Sequence, residues 1–307
     1  MNVIDIVIPI YNDDSLLAES IESLGRQTLP SGWSFHVYIV DDGSSKEISL
    51  KDVSVPTEKI TIHRHAVNKG RGAACNTGVR MGNGSLVYIL DSDCVLQNRD
   101  VLSSHVGTLN EVNVSVSCGS IYTDPSSFWG EYQNEVALRR EKLFYEGDLA
   151  AFTTANCMMT RKCFLEIGGF EERYTQYGFE DRDLLLRLIS EKFEIRYCRS
   201  SSVEHKCDIS LSSVAEKLYK GGRYSSVLFI EKHEVAYKKM HFVKADVEYS
   251  KGGLKLLALL TKPLLWPMIS LLDVALKNEW LPFNVAKKMV KYISGLAYLQ
   301  GTSARDR

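Results

Sequence analysis

The sequence predicts an α/β fold with a mainly parallel central sheet and a C-terminal helical extension. Three observations predict it. Short β-branched runs alternate with helical patterns, which is how strand–helix–strand units of a parallel sheet read. The ends of three successive runs carry polar clusters, where sheets of this kind bind ligands. From about residue 211 the strand signals stop and the pattern turns helical. A chain of 307 residues, 45% of them hydrophobic, can bury a core of that size.

The first strand is residues 3–10 (VIDIVIPI), a run suited to burial on both faces. YNDDS follows and can cap a helix that carries Leu17, Ile21 and Leu24 on one face. The second strand, 35–40 (FHVYIV), ends in DDGSS. A third, 60–64 (ITIHR), leads to the Gly-rich NKGRGAACNTG that opens a helix, and a fourth, 86–90, ends on Asp91-Ser92-Asp93. The pattern then predicts strands at 115–122, 152–160 and 194–204, with a helix over 127–146. Glu180 and Asp181 open another helix, whose apolar face holds Leu184, Leu185 and Leu188; acids in a first turn favour the helix dipole. Residues 1–210 are expected to form one α/β domain, with halves at about 1–110 and 111–210, and 211–307 a helical region.

Within that region, GGLKLLALLTKPLLWPMISLLDVALKNEW is apolar enough to resemble a membrane span. Lys255, Lys262 and Asp273 divide it, and Pro263 and Pro267 break it, so a transmembrane helix is rejected. Two short helices lying at a lipid interface fit better, which makes 251–291 a candidate for peripheral membrane contact. The basic residues support this: from 250 onward nine Lys or Arg face three acids, a local charge of +6, while the rest of the chain carries −7. The same helices can serve a homo-oligomer. A net charge of −1 excludes wholesale nucleic-acid binding. Seven cysteines (75, 94, 118, 157, 163, 198 and 207) form no CxxC pair, and no leader-like segment opens the chain. A cytoplasmic location is expected, at the inner face of the membrane if the C-terminal helices bind lipid.

Asp91 and Asp93 flank one small residue, Ser92, where the strand has ended and both carboxylates can turn toward one point. Oxygen ligands of this kind suit Mg²⁺ or Mn²⁺ held together with a substrate phosphate. A lone Asp-x-Asp is more often a turn or helix cap, and the surrounding motifs weigh against that here. His205, after the last predicted strand, can add a nitrogen ligand and move the preference toward Mn²⁺. Asp41-Asp42-Gly43-Ser44 is ordinary turn chemistry, yet an ionised carboxylate also accepts from a base N–H. Asn68-Lys69-Gly70-Arg71-Gly72 suits phosphate approach through backbone N–H groups and charge, and is neither a Walker loop nor GxGxxG. Glu180 and Asp181 are the candidates for acid–base work, with a solvated acidic turn that includes Asp183 as the plainer use. Trp129, Tyr132, Trp266 and Trp280 are conceivable sugar platforms, with core packing the commoner use.

Taken together, IVIPIYND (6–13), VDDGSS (40–45), NKGRGAACNTG (68–78), YILDSD (88–93), ANCMMTRKCFLEIGGFEERY (155–174) and GFEDRDLLLRL (178–188) make the chain resemble a family 2 glycosyltransferase of the GT-A, nucleotide-diphospho-sugar transferase fold. The resemblance implies inverting transfer of a hexosyl or N-acetylhexosaminyl group from a nucleotide sugar, a UDP-sugar first, to a glycan or lipid-linked acceptor. By position, Pro9, Tyr11 and Asp42, with Asp41, would surround the nucleoside, and Lys69 or Arg71 would lie near base or diphosphate. Asp91, with Ser92 leaving room, would reach the ribose and the metal; Asp93 and His205 would ligate it. Asp181 would be the base, with Glu180 orienting donor or acceptor. The 1–110 half would then bind donor and the 111–210 half acceptor. Two other readings stand beside it. A sugar nucleotidyltransferase would need a basic, Gly-rich first loop where this chain has acidic YNDDS, and a non-catalytic nucleotide-binding scaffold would have no use for the acids.

Overall fold

The computed structural model describes residues 2–305 except 49, 51, 52, 54, 207, 251 and 252, and leaves out the side chains of 57 and 149. Cys207 and Lys251, singled out above, lie outside the described residues. The chain divides into two compact units, the first comprising Met1–Asp124, Gln133–Glu172 and Asp181–Cys207, the second Pro125–Tyr132, Arg173–Glu180 and Asp208–Arg307.

The first unit is built on β1 (Asn2–Ile10), β2 (Trp33–Asp41), β3 (Ile60–Arg64), β4 (Leu86–Leu90), β5 (Cys94–Leu96), β6 (Val114–Tyr122), β7 (Asn156–Thr160) and β8 (Glu194–His205). They form one sheet in the order β3-β2-β1-β4-β7-β6-β8-β5. The β3 to β4 side is parallel throughout. Beyond it β7 runs antiparallel to β4 and β6, β6 and β8 are parallel, and β5 closes the edge antiparallel to β8. Alternation along β1 feeds two cores. Ile4, Ile6 and Ile8 face the layer containing Leu17, Ile21 and Leu24 of α1 (Leu17–Gly25). Val7 faces Cys75 and Val79 of α2 (Arg71–Met81). A strand buried on both faces is written as a continuous apolar run, which is why it was visible in sequence. Asp5 interrupts the run without leaving the core: its Oδ2 accepts from Gly84 N–H at 2.7 Å and from the Arg161 guanidinium.

Three elements of the first unit escape the sequence pattern: β5, the helix at 101–109 and the short helix at 161–166. β5 is too short for a period to show, and α3 (Val101–Leu109) carries Ser and Gly within its span. Helix α4 (Phe128–Tyr145) falls where expected. The strand expected at 152–160 begins only at Asn156, and the next helix, α5 (Arg161–Glu166), follows directly. Thr160 caps α5 by accepting from Cys163 N–H. Helix α6 (Glu180–Ser190) buries Leu184, Leu185 and Leu188. The described cysteines, 75, 94, 118, 157, 163 and 198, are buried, with none in a disulfide.

The second unit is helical: α7 (Leu211–Lys220), α8 (Ser226–Lys239), α9 (Leu254–Thr261), α10 (Leu265–Lys277) and α11 (Phe283–Ser303). Its core joins Leu211 and Ala215 to Leu265, Ile269, Leu272 and Val290, with Trp129 and Tyr132 packed against it. Those two aromatics are therefore packing residues, while Trp266 and Trp280 are exposed. Asp273 does not merely divide the apolar run. Its carboxylate accepts from the Leu211 and Ser212 N–H groups at the start of α7, at 2.5 and 2.9 Å, where a negative charge meets the helix dipole. Among the described residues no single helix is long and apolar enough to cross a membrane. The break between α9 and α10 falls at 262–264, and Pro267 sits in the first turn of α10, where its missing N–H costs no helical bond.

Candidate active site

All the contacts that follow lie in the first unit. The turn after β2 uses its two aspartates to hold neighbouring loops. Asp41 is fully buried; its Oδ1 accepts from Ser44 N–H at 2.8 Å and its Oδ2 faces Arg64 Nε at 3.3 Å. Asp42 is buried too. Its Oδ1 accepts from Lys69 N–H at 2.9 Å and lies 2.7 Å from His65 Nδ1, and its Oδ2 accepts from Gly70 N–H at 2.7 Å. The N–H groups expected to meet a phosphate at the start of α2 thus meet Asp42, whose charge suits that helix end. Asp42 is a clamp on 65–70.

Backbone geometry enforces the same junction. Gly43 has φ 76°, and a Cβ there would meet Val67 C at 2.6 Å and Asn68 N at 2.8 Å. Gly70, at φ 94°, is the residue before α2. The turn after β1 is tied in by Asn12, whose N–H donates to Ser44 Oγ and whose Oδ1 accepts from Ser45 N–H, both at 2.8 Å. Pro9 is buried in β1 beside Val40, whereas Tyr11 is 51% exposed beside this junction and Lys69 is also exposed.

Arg71, the first residue of α2, is the hub. Its Nε and Nη2 donate to Asp91 Oδ1 at 2.9 and 2.6 Å. Its Nη1 donates to Thr154 Oγ1 and to Asp181 Oδ1, each at 3.0 Å. Thr154 in turn donates to Asp181 Oδ1. The Asp91 carboxyl is held above the usual carboxylate range, chiefly by desolvation, with Arg71 opposing and the Asp93 and Asp181 charges adding. One guanidinium therefore bridges two carboxylates that sequence reasoning assigned to opposite sides of the reaction.

Asp93 and His205 form the second cluster. The antiparallel register pairs Cys94 with His205, and Lys206 N–H donates to Asp93 O at 3.0 Å, so the end of β8 runs beside the turn after β4. This brings His205 Nε2 to 3.1 Å from Asp93 Oδ2. Gln133 Nε2 lies 3.4 Å from His205 Nδ1, and an amide can meet either ring tautomer. A set of three ligands, with Asp91 added, is not assembled: among the described residues no three His, Cys, Asp or Glu side chains gather at metal distance. Arg71 takes Asp91 instead. Ser92, half-buried, lies inside the turn that Cys94 N–H closes onto Asp91 O at 3.0 Å.

The family described as Glycosyl transferase family 2 matches residues 5–168, more than half of the sequence and every strand end just described except that of β8. The chain belongs to glycosyl transferase family 2. A second family, described as N-terminal domain of galactosyltransferase, matches residues 134–207. Among curated family members, the chain is 27% identical over 227 residues to a Pre-mycofactocin glycosyltransferase of Mycobacterium tuberculosis, covering 71% of this chain and 46% of that one. It is 28% identical over 233 residues to Validoxylamine A glucosyltransferase of Streptomyces hygroscopicus subsp. limoneus, covering 65% and 50%. The chain thus spans about half the length of these curated relatives. Among solved structures, it is similar to the mannosyltransferase PcManGT of Pyrobaculum calidifontis in complex with GDP-Man and Mn²⁺, with TM-score 0.59 at 18% identity over 97% of this chain and 86% of that one. S. aureus TarS in complex with UDP gives TM-score 0.54 at 15% identity over 98% and 90%. The fold is GT-A.

The EDRD segment of this family 2 chain distributes its charges. Glu180 is buried. Asp181 enters the cluster around Arg71. Arg182 binds Asp148 through Nη2 at 2.9 and 2.8 Å, and Asp183, fully buried, takes Arg187 Nε at 2.8 Å. Asp183 is therefore a structural anchor and not part of a solvated turn. Sequence reasoning missed Thr154, which it read as strand interior, and His65, which bridges Asp42 and Thr77. The signal for Thr154 was faint: TTAN places two hydroxyls and an amide at the start of an apolar run. A cavity of about 410 Å³ is lined in part by Tyr122, Leu138, Glu141, Phe152, Arg199 and Thr153, the residue before Thr154. Phe152 stacks on Tyr197 with centroids 4.7 Å apart, and Arg199 pairs with the largely buried Glu141.

Proposed function

We propose that this chain transfers a sugar from a nucleotide-diphosphate donor, a UDP-sugar first, to a hydroxyl of a glycan or lipid-linked acceptor, with inversion. The observation that carries the reading is the convergence of Arg71 on Asp91, Thr154 and Asp181 at the carboxyl ends of the parallel strands, where α/β sheets bind ligands. Direct displacement at the anomeric carbon needs a base for the acceptor proton and positive charge for the leaving diphosphate. Asp181 is the base: its carboxylate is fixed by Thr154 and takes the proton of the attacking hydroxyl. Arg71 is the cation that meets the diphosphate. Asp91 holds Arg71 on the donor side. The acceptor enters the cavity beside Thr154, whose aromatic and charged lining suits a sugar ring with polar edges.

Asp93 and His205 fit a divalent cation as a two-residue site, carboxylate and imidazole, with donor oxygens and water completing it; this donor set favours Mn²⁺ over Mg²⁺. Such an ion, when bound, neutralises the leaving diphosphate. The structural likeness to a protein solved with GDP-Man and Mn²⁺ and to one solved with UDP supports donors of this class. The test is a panel of UDP-, GDP- and dTDP-sugars read by thermal shift and donor turnover, with Mn²⁺, Mg²⁺ or chelator. A metal-dependent shift with one donor, lost in Asp93→Ala and in His205→Ala, is the expected result. A shift that survives both substitutions would overturn the two-residue site, and no shift with any donor would overturn the reading.

A further inference from the structure

Helices α9 and α10, bent by 69° at their junction, each bury one face in the second unit through Ala258, Leu265, Ile269, Leu272 and Leu276. Their other face is apolar as well and is open: Leu256, Leu259 and Leu260 are 60–68% exposed, Trp266 47%, Leu271 70%, and Tyr292 on the adjoining α11 59%. Apolar exposure on this scale, gathered within one helix group, marks an interaction surface. Five exposed lysines accompany it, Lys255, Lys262, Lys277, Lys288 and Lys291. Of the two acids between 254 and 292, Asp273 spends its carboxylate on the start of α7, which leaves Glu279.

We propose that this face seats the protein on an anionic lipid surface, with α9 and α10 lying in the plane of the interface. Three observations select that occupant. At 1.5 Å per residue the two helices are roughly 12 and 20 Å long, too short to span a hydrocarbon core singly. Their inner faces belong to the protein core, so they lie along it. The third is charge. A two-fold pairing through this face would bring each lysine group against its own copy, whereas anionic headgroups supply the opposite charge around an apolar centre. Lysine stems can lie on the apolar surface while their ammonium groups reach the headgroups. The proposal is independent of the reaction assigned to the first unit.

The experiment uses the full chain with phosphatidylcholine vesicles, with and without one third phosphatidylglycerol, at low and high salt. Flotation and tryptophan emission are read together in Trp280→Phe, which leaves Trp266 as the exposed indole. Binding to the anionic vesicles only, a blue shift on binding, and loss of binding at high salt are expected. Lys255→Glu combined with Lys262→Glu is expected to weaken binding at least tenfold, and Leu260→Ser with Leu271→Ser to remove the blue shift. These positions are exposed, so the melting temperature stays within a few degrees and serves as the folding control. Absence of binding to anionic vesicles overturns the proposal. So does a concentration-dependent dimer in sedimentation velocity that the two leucine substitutions dissolve, which would give the face to a second copy of the chain.

Discussion

Arg71 is the residue on which the site turns. Its guanidinium meets Asp91 and Asp181 at once, each contact at 3.0 Å or less. The same guanidinium thus supplies positive charge and, with Thr154, orients Asp181. Two substitutions separate these effects. Asp181→Asn keeps the size and a hydrogen-bonding side chain but loses the base, and transfer is expected to fall about 10²–10⁴-fold with donor binding and melting temperature retained. Arg71→Met removes the cation instead. Donor turnover is expected to fall about 10²–10³-fold and donor affinity to fall with it, as when a charge-stabilising group is lost. Isothermal titration of donor against both variants checks the split; unchanged donor affinity in Arg71→Met would sever Arg71 from the diphosphate. Asp91 and Asp181 were legible as acids at strand and helix ends, but their bridging by one arginine was not. It depends on bringing together residues 20 and 110 positions apart from Arg71, which no local pattern encodes.

At the scale of elements, the loops after β1 and β2 and the segment before α2 behave as one piece. Asn12 and Ser44 tie the first two, and Asp42 clamps the third. Gly43 is where they come closest, so Gly43→Ala combines a left-handed backbone with a Cβ driven into the main chain of Val67 and Asn68. A loss of about 1–3 kcal/mol is expected from the backbone alone. Chemical denaturation measures it, and tolerance of alanine at full stability would show that the junction can open. Parallel strands were readable because two-sided burial demands unbroken apolar runs; β1 through β4 came out within two residues of their bounds. The start of β7 was misread for the opposite reason. Residues 152–155 have strand-like composition, and the β4–β7 register carries on to Ala155, whose O accepts from Asp91 N–H at 3.1 Å, but Thr154 serves Asp181 instead of the ladder.

Across the whole molecule, the acidic motifs and the division into strand-rich and helical stretches could be read from sequence, while the buried polar interior could not. His105 shows why: in sequence it is a lone histidine in an unremarked helix, yet it is fully buried. Its Nε2 lies 2.9 Å from Asn156 Oδ1 and its Nδ1 2.8 Å from Ser117 Oγ. The Asn156 amide donates to the carbonyls of Ser120 and Ser201, so its oxygen is the acceptor that His105 and the Tyr88 hydroxyl share. That places a proton on Nε2, and in the neutral ring Ser117 donates to Nδ1. Burial lowers the His105 pKa from 6.5 to about 4, with the bond to Asn156 opposing. The unfolded chain therefore binds a proton that the folded chain refuses between those two values. Stability is full above the unfolded value and is lost as pH falls through the window, up to about 1.4 kcal/mol per pH unit and about 3 kcal/mol in all. His105→Gln keeps an amide able to meet both neighbours but cannot titrate. It is expected to start less stable at neutral pH and to lose less on acidification, so that the two stability curves converge toward acid. Parallel curves in urea denaturation across this range would show that the network admits a proton without unfolding, and would remove His105 as the source of acid lability.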